Sequence, residues 1–311
     1  MALPHIDAEA VARHAPIPDV VEAVRAAFAA SPDLAGRSHL PLSGSDDLLL
    51  MPAADATAVG VKVLTVLPGN TAAGRPAIQG CYLLFDRRTG APVATVDGAA
   101  LTKVRTPAVS ALATQALART DVRRLAVFGT GVQARAHVPA MLWARPSITS
   151  IDVVGRTQAS GEDLAGELRA AGHRARAVDP AEGSAAELIC TCTSSPDPVV
   201  VSARVPLGAH VNAVGSYRPE RRELDAELVG RARCVVDERD AAEAEAGDLV
   251  AAVRAGRLRW DDVTGDLVGL ARGTVLRETD AQVTIFKSVG LAHEDLVAAA
   301  MVARRTGLLA G

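Results

Sequence analysis

The chain has 311 residues, 49% of them hydrophobic, and a formal net charge of −3, which suits a two-domain globular protein with ample core. Mild acidity, with no basic stripe interleaved with aromatics, excludes a nucleic-acid footprint, and no apolar run reaches membrane-span length. The N-terminus lacks the charged-then-apolar layout of a secretory signal, so a cytoplasmic enzyme is expected.

In chain order, residues 18–30 carry Val20, Val21, Val24, Ala27 and Phe28 at helical spacing, which predicts an amphipathic helix. From residue 48 to 96 the pattern changes to short β-rich runs at 48–51, 58–66, 80–85 and 91–96. Turn residues such as Pro68-Gly69-Asn70 and Arg87-Arg88-Thr89-Gly90 separate them, predicting a mostly antiparallel sheet with a hairpin at Arg88-Thr89-Gly90. Lys62 lies inside one of these runs, with Val61, Val63 and Thr65 on the opposite face by alternation. A lysine so placed is either a snorkelling edge residue or an inward catalytic amine. Thr106-Pro107 has the form of an N-cap followed by proline at the first helical position, so a helix is expected from there to about residue 118. Arg105 then stands just before that start, where its fork can hold a carboxylate through two N–H groups. Arg37, ahead of Leu40-Pro41-Leu42, is a second candidate clamp, and Lys103 is expected to face solvent.

The stretch Leu125-Ala126-Val127-Phe128-Gly129-Thr130-Gly131-Val132-Gln133-Ala134 reads as strand, glycine turn and helix. That is the opening of a dinucleotide-binding βαβ unit, with a pyrophosphate expected on Thr130, Gly131, Val132 and Gln133 at the helix N-terminus. Gly129 allows the tight turn, Gly131 lets the backbone approach the phosphates, and Ala134 takes the third fingerprint position as a small residue. The next strand, 148–154, ends in Gly155-Arg156-Thr157, and the only acid near, Asp152, lies within the strand. A carboxylate at this strand end would favour NAD, whereas Arg156 and Thr157 make a phosphate cradle. The pattern therefore favours NADP(H), with NAD(H) the other possibility and a solvated loop arginine the plain reading of Arg156. Further strands are expected at 175–178, 188–191, 210–214 and 234–236. The polar turn Thr193-Ser194-Ser195-Pro196 is expected to fold over the cofactor. Ser288 is read as a cofactor contact and as the cap of a last helix, 293–304, that returns to the first domain. Of the four cysteines, Cys190 and Cys192 have no second Cys/His pair at ligand spacing, so reduced, buried thiols and no metal are expected. The expected fold is α/β: a central Rossmann dinucleotide-binding domain (119–287) plus a split α+β substrate-binding and dimerisation domain (1–118 with 288–311).

These motifs resemble the ornithine cyclodeaminase/mu-crystallin family, in the expected order and over nearly the whole chain. The resemblance rests on Asp97-Gly98, Leu101-Thr102, Arg105-Thr106 and Ser110-Ala111-Leu112-Ala113, and on the glycine turn at 129–134. It continues through Ala213-Val214-Gly215-Ser216, Pro219, Arg222-Glu223-Leu224-Asp225 and Phe286-Lys287-Ser288-Val289-Gly290. It implies a homodimer and hydride transfer at a carbon–nitrogen centre beside a carboxylate. Lys62 matches the family's active-site lysine and Arg105 its carboxylate-binding arginine. Where cyclodeaminases of the family carry an aspartate that handles a distal amine, this chain has Tyr217, read here as substrate-binding. A phenol is a poor general base near neutral pH. Together with Arg156-Thr157, this departure points toward an NADP(H)-dependent reductase or dehydrogenase of a small imino or amino acid. An ornithine or lysine cyclodeaminase with bound NAD, and a non-catalytic NADPH-binding protein, are the alternatives.

Overall fold

The computed structural model describes residues 3–44 and 46–310. The chain begins with β1 (His5–Ile6), α1 (Ala8–His14), α2 (Ile17–Ala29), β2 (Ser38–Pro41) and β3 (Asp47–Ala54). It continues through β4 (Ala58–Val66), β5 (Ile78–Asp86), β6 (Pro92–Asp97) and α3 (Gly98–Leu117). Then come β7 (Arg124–Phe128), α4 (Val132–Ala144), β8 (Ser150–Val154), α5 (Gln158–Ala170), β9 (Ala175–Ala177), α6 (Pro180–Ser184) and β10 (Leu188–Thr191). The remainder is β11 (His210–Ala213), α7 (Ala226–Gly230), β12 (Arg233–Val236), α8 (Arg239–Glu245), α9 (Gly247–Arg254), α10 (Leu267–Ala271), β13 (Thr284–Lys287) and α11 (Ala292–Arg305). Two compact units result, residues 1–108 with 291–311 and residues 109–290, so the division falls within α3. No helix among the described residues is long and apolar enough to cross a membrane.

The first unit is built on a six-stranded sheet in the order β1-β6-β5-β4-β3-β2. All its pairings are antiparallel except β1 with β6. The β5–β6 hairpin turns at Gly90, whose φ of +70° suits glycine. Residues alternate strictly along β4: Ala58, Gly60, Lys62, Leu64 and Val66 are buried, and the residues between them only half so. Helix α11 covers that buried face, packing on β3, β4 and β5, with α2 beside it. Val20, Val21, Val24 and Phe28 fasten α2, all fully buried, each contributing about 1.5–3 kcal/mol of transfer free energy.

The second unit is a seven-stranded, all-parallel sheet in the order β12-β13-β11-β10-β7-β8-β9. Its strands are buried on both faces, as in Leu125 to Phe128, because crossover helices cover a parallel sheet. The chain order reverses at β7, between β8 and β10, so the ligand crevice of a Rossmann unit lies at the carboxyl end of β7.

Two local expectations are corrected. Thr106-Pro107 does not open a helix, since Pro107 lies inside α3. The helix starts earlier because Asp97 Oδ1 accepts the Ala100 N–H at 2.8 Å, as an N-cap does. Ser288 does not cap the last helix, which follows Leu291. Its hydroxyl instead donates to Asp237 Oδ2 at 2.9 Å. The cap contact at α11 comes from Glu294, whose Oε1 accepts the Leu291 N–H at 3.2 Å.

Candidate active site

In the Rossmann unit, β7 ends at Phe128 and the chain turns on Gly129, with φ +106°. A Cβ there would stand 2.6 Å from the Cys192 carbonyl oxygen, so the close approach of the loop after β10 excludes any side chain. A Cβ on Gly131 would meet nothing within 4 Å. Gly131 is the N-cap of α4 and offers no side-chain cap to the first N–H groups of that helix. Those N–H groups, at Val132 and Gln133, together with the open space at Gly131, fit a pyrophosphate. Ala134 is fully buried, and the Thr130 carbonyl is held by Arg135, which also pairs with Glu167 at 2.7 Å.

At the end of β8, Arg156 is exposed. Thr157 caps α5, accepting the Ser160 N–H at 3.2 Å. Asp152 is fully buried inside the strand and paired with Arg176 at 2.9 Å, so it is no ribose ligand at the strand end.

Behind the ends of β10, β11 and β13 lies a polar cluster that the sequence reading did not identify. Glu223, fully buried, accepts from Thr191 Oγ1 (2.8 Å), Thr193 N–H (2.7 Å) and Gly215 N–H (2.7 Å). Burial lifts its carboxyl above the usual range, against the pull of Lys287. Lys287 donates to the Ser216 carbonyl at 2.6 Å and pairs with Asp248 at 2.8 Å. Asp248 in turn accepts the Glu223 and Leu224 N–H groups at 2.6 and 2.8 Å. Asp237 gathers Ser288 and the Val289 and Gly290 N–H groups, the latter two at 2.7 Å. Three strand-end loops are thus fixed by buried carboxylates. Ser194 is exposed, and its carbonyl accepts from Arg221 at 2.9 Å. Tyr217, half-buried in the loop after β11, packs on the hydrophobic core of the same unit.

The first unit holds a separate cluster of ions. Lys62, 1% exposed, points from the buried face of β4 and pairs with Asp295 Oδ2 at 2.6 Å. It also donates to Thr102 Oγ1 at 3.3 Å. Arg105, 6% exposed, donates from Nη1 to Glu294 Oε2 at 2.5 Å. Its Nε lies 3.4 Å from Asp295 Oδ1. The snorkelling reading of Lys62 is therefore excluded. Burial pushes its amine down to about 8, opposed by Asp295 and reinforced by Arg105. Tyr82 faces Lys62 across the β4–β5 register, and burial pushes its phenol up, with Asp295 adding to the rise. Arg37, half-buried, immediately precedes β2. Continuing the Ser38↔Leu50 register by one residue sets it across Met51 from Lys62. Glu294 and Asp295, on the first turn of α11, are the residues the sequence reading missed. Among the described residues, no group of three or more His, Cys, Asp or Glu side chains could hold a metal ion.

A buried amine beside a buried guanidinium can give a proton and grip a carboxylate, and the glycine turn can hold a dinucleotide. The model of the ornithine cyclodeaminase/mu-crystallin family matches residues 6–307, and the chain belongs to this family. It is 35% identical over 271 residues to a Delta(1)-pyrroline-2-carboxylate reductase of Bacillus cereus, covering 85% of this chain and 83% of that one. It is 34% identical over 293 residues to the ketimine reductase mu-crystallin of Mus musculus, covering 91% and 89%. The solved structure of Thermococcus litoralis Delta(1)-pyrroline-2-carboxylate reductase, in complex with NADH and L-proline, matches with a TM-score of 0.93 and 29% identity. That match covers 99% of this chain and 100% of the other. The family resemblance read from the motifs is borne out.

Proposed function

We propose that the protein is a nicotinamide-dependent oxidoreductase that reduces the C=N bond of a small α-imino acid and, in reverse, oxidises the amino acid. The observation that carries this reading is Lys62, an amine buried to 1% exposure within reach of the same carboxylate as Arg105. Arg105, joined by Arg37, grips the substrate carboxylate with its planar fork. The Lys62 ammonium donates a proton to the imine nitrogen, and an amine lowered to about 8 is matched to acid–base work near neutral pH. A bound reduced dinucleotide supplies the hydride that the imine carbon receives. Holding the acceptor in one orientation removes part of the entropic cost of the step. Tyr217, read as substrate-binding, offers no base for the distal amine of ornithine or lysine, which favours reduction over cyclodeamination.

Thr130, Gly131, Val132, Gln133 and Ala134 form the turn for the pyrophosphate, with Thr193 and Ser194 after the neighbouring β10 and Ser288 after β13 as further cofactor contacts. Arg156 and Thr157 favour NADP(H) over NAD(H), supported by the exposed guanidinium and the buried, paired state of Asp152. A second copy of the chain is the expected partner, because β2 ends its sheet with Leu40 and Leu42 exposed.

The test is nicotinamide absorbance with purified protein. NADPH and NADH are each offered with 1-pyrroline-2-carboxylate, 1-piperideine-2-carboxylate, or pyruvate plus ammonia. Imine-dependent oxidation of NADPH is expected. Silence across the panel, with ammonia released from ornithine or lysine, would replace this reading with a cyclodeaminase. Light scattering at twice the chain mass is expected for the dimer.

A further inference from the structure

Lysine is rare in this chain. Of 33 basic Lys and Arg residues only Lys62, Lys103 and Lys287 are lysines, so a lysine at position 62 is not a default choice of cation. Arginine cannot give up its proton in a protein, whereas a buried lysine can. Asp295 and Thr102 take two of the three N–H groups of the ammonium, at 2.6 and 3.3 Å. Thr102 is committed as acceptor toward Lys62, because its own hydroxyl donates to the Gly98 carbonyl at 2.9 Å. These contacts leave one N–H direction for a substrate nitrogen. Asp295 is fully buried, and its other oxygen lies 3.4 Å from Arg105 Nε. One carboxylate therefore spans the proton donor and the carboxylate-binding arginine. Its place on the first turn of α11 gives the anion the favourable end of the helix dipole.

Resting on the imine-reductase reading, we infer that Asp295 is the positioning residue of the reaction. Its carboxylate aims the Lys62 ammonium, fixes its spacing from Arg105, and supplies the counter-charge that keeps the amine protonated until the imine nitrogen takes the proton. The step balances without any change in Asp295. Lys62 loses H⁺ to nitrogen, the imine carbon takes hydride from the reduced nicotinamide, and Lys62 recovers H⁺ from water after product leaves. The charged or titratable groups facing Lys62 are Tyr82 from β5, Arg105 from α3, and Glu294 and Asp295 from α11. Burial and Arg105 disfavour the ammonium and the two carboxylates favour it, so neutralising Asp295 removes the largest favourable influence.

The experiment compares the parent enzyme with Asp295→Asn and Asp295→Glu. It measures kcat and kcat/KM for 1-pyrroline-2-carboxylate at saturating NADPH from acid to alkaline pH. Reduction needs Lys62 protonated, so the parent should lose activity on its basic limb near pH 8. In Asp295→Asn that limb should move down by about one pH unit or more. At pH 8 the rate should fall at least about fivefold, with the NADPH dissociation constant within about twofold of the parent. Asp295→Glu should keep the limb and lose rate only, because charge is retained and aim is not. A purely structural Asp295 would lower the rate evenly at all pH values; an unmoved limb overturns the inference. If Asp295→Asn does not fold, Thr102→Val removes the other Lys62 contact without touching charge. It should lower kcat with the limb in place, and an unchanged kcat would count against aiming of the amine. Should the parent reduce no imine, the functional reading fails by itself. The titration of Lys62, followed by its ¹³Cε resonance, then decides the role of Asp295: a downward shift in Asp295→Asn supports it and no shift overturns it.

Discussion

Two of the three lysines are buried, and their surroundings differ in charge balance. Around Lys62 two cations, Lys62 and Arg105, meet two carboxylates, Glu294 and Asp295. Around Lys287 a single amine meets Asp248 directly and the field of Glu223. The partners differ as well. Lys62 is held by side chains only, whereas the Lys287 cluster binds a backbone carbonyl and, through its carboxylates, the N–H groups of residues 193, 215, 223 and 224. In the proposed function the first arrangement is a tool, whose amine shares its carboxylates with Arg105. The second is a staple for loops. Buried charge by itself does not announce catalysis; the identity of its partners does.

The contrast is broken most directly by replacing each lysine with methionine. Lys62→Met should cost about 10²–10⁴-fold in reduction rate, the usual worth of a positioned acid. Its fold should lose less stability than that of the Lys287 variant, because Arg105 still faces both carboxylates. Lys287→Met should instead destabilise the fold by about 3–5 kcal/mol in urea titration, since it strands a buried carboxylate without its cation. Equal losses of stability in the two variants would erase the distinction between tool and staple.

The same division governs what can be read from the sequence. The dinucleotide turn is legible because its chemistry is local: strand, Gly129, Gly131 and helix stand within ten residues, and each glycine has a backbone reason. The inward face of Lys62 is half legible from alternation, which leaves open whether that face is covered. The acidic partners are not legible. Asp295 is 233 residues from Lys62, and a Glu-Asp pair on the first turn of a helix looks like ordinary dipole compensation. The usable signal is that this pair opens a helix otherwise alanine-rich and buried along its whole first half. The start of α3 was missed because Gly98 reads as a turn and Pro107 as a beginning, while Asp97 caps from outside both. Strand β2 was missed because it is a short exposed edge containing Pro41, where apolar periodicity has no reason to appear.

Smaller effects sharpen the picture of each half. Arg105→Ala should raise KM for the imino acid about 10–150-fold, the loss of a charge-assisted hydrogen bond worth about 1.5–3 kcal/mol. The dinucleotide dissociation constant should not follow, and equal weakening of both would contradict the assigned role. If the proposed NADP(H) preference holds, Arg156→Glu should weaken NADPH by about tenfold or more while NADH changes little, because NADH lacks the phosphate assigned to that side chain. Fluorescence titration with both dinucleotides reads the difference directly, and identical shifts would return the preference to NAD(H).

The smallest expected effect concerns Tyr82, which shares the rung of Lys62. Its ring lies over Gly60, where an added Cβ would come within 2.3 Å of the phenol, so the two residues specify each other. The hydroxyl is fully buried and meets no hydrogen-bond partner among the described residues. A hydroxyl left so costs about 1–3 kcal/mol, and a chain selected only for packing would carry phenylalanine. Tyr82→Phe should therefore leave the fold as stable or raise its stability by about 1 kcal/mol. A clear loss of stability would mean that the hydroxyl is satisfied, through water or a partner copy. If the melting point holds while the pH limb of reduction moves, the phenol belongs to the electrostatics around Asp295 and Lys62, and the tool in the first unit reaches one residue further than its ion pairs.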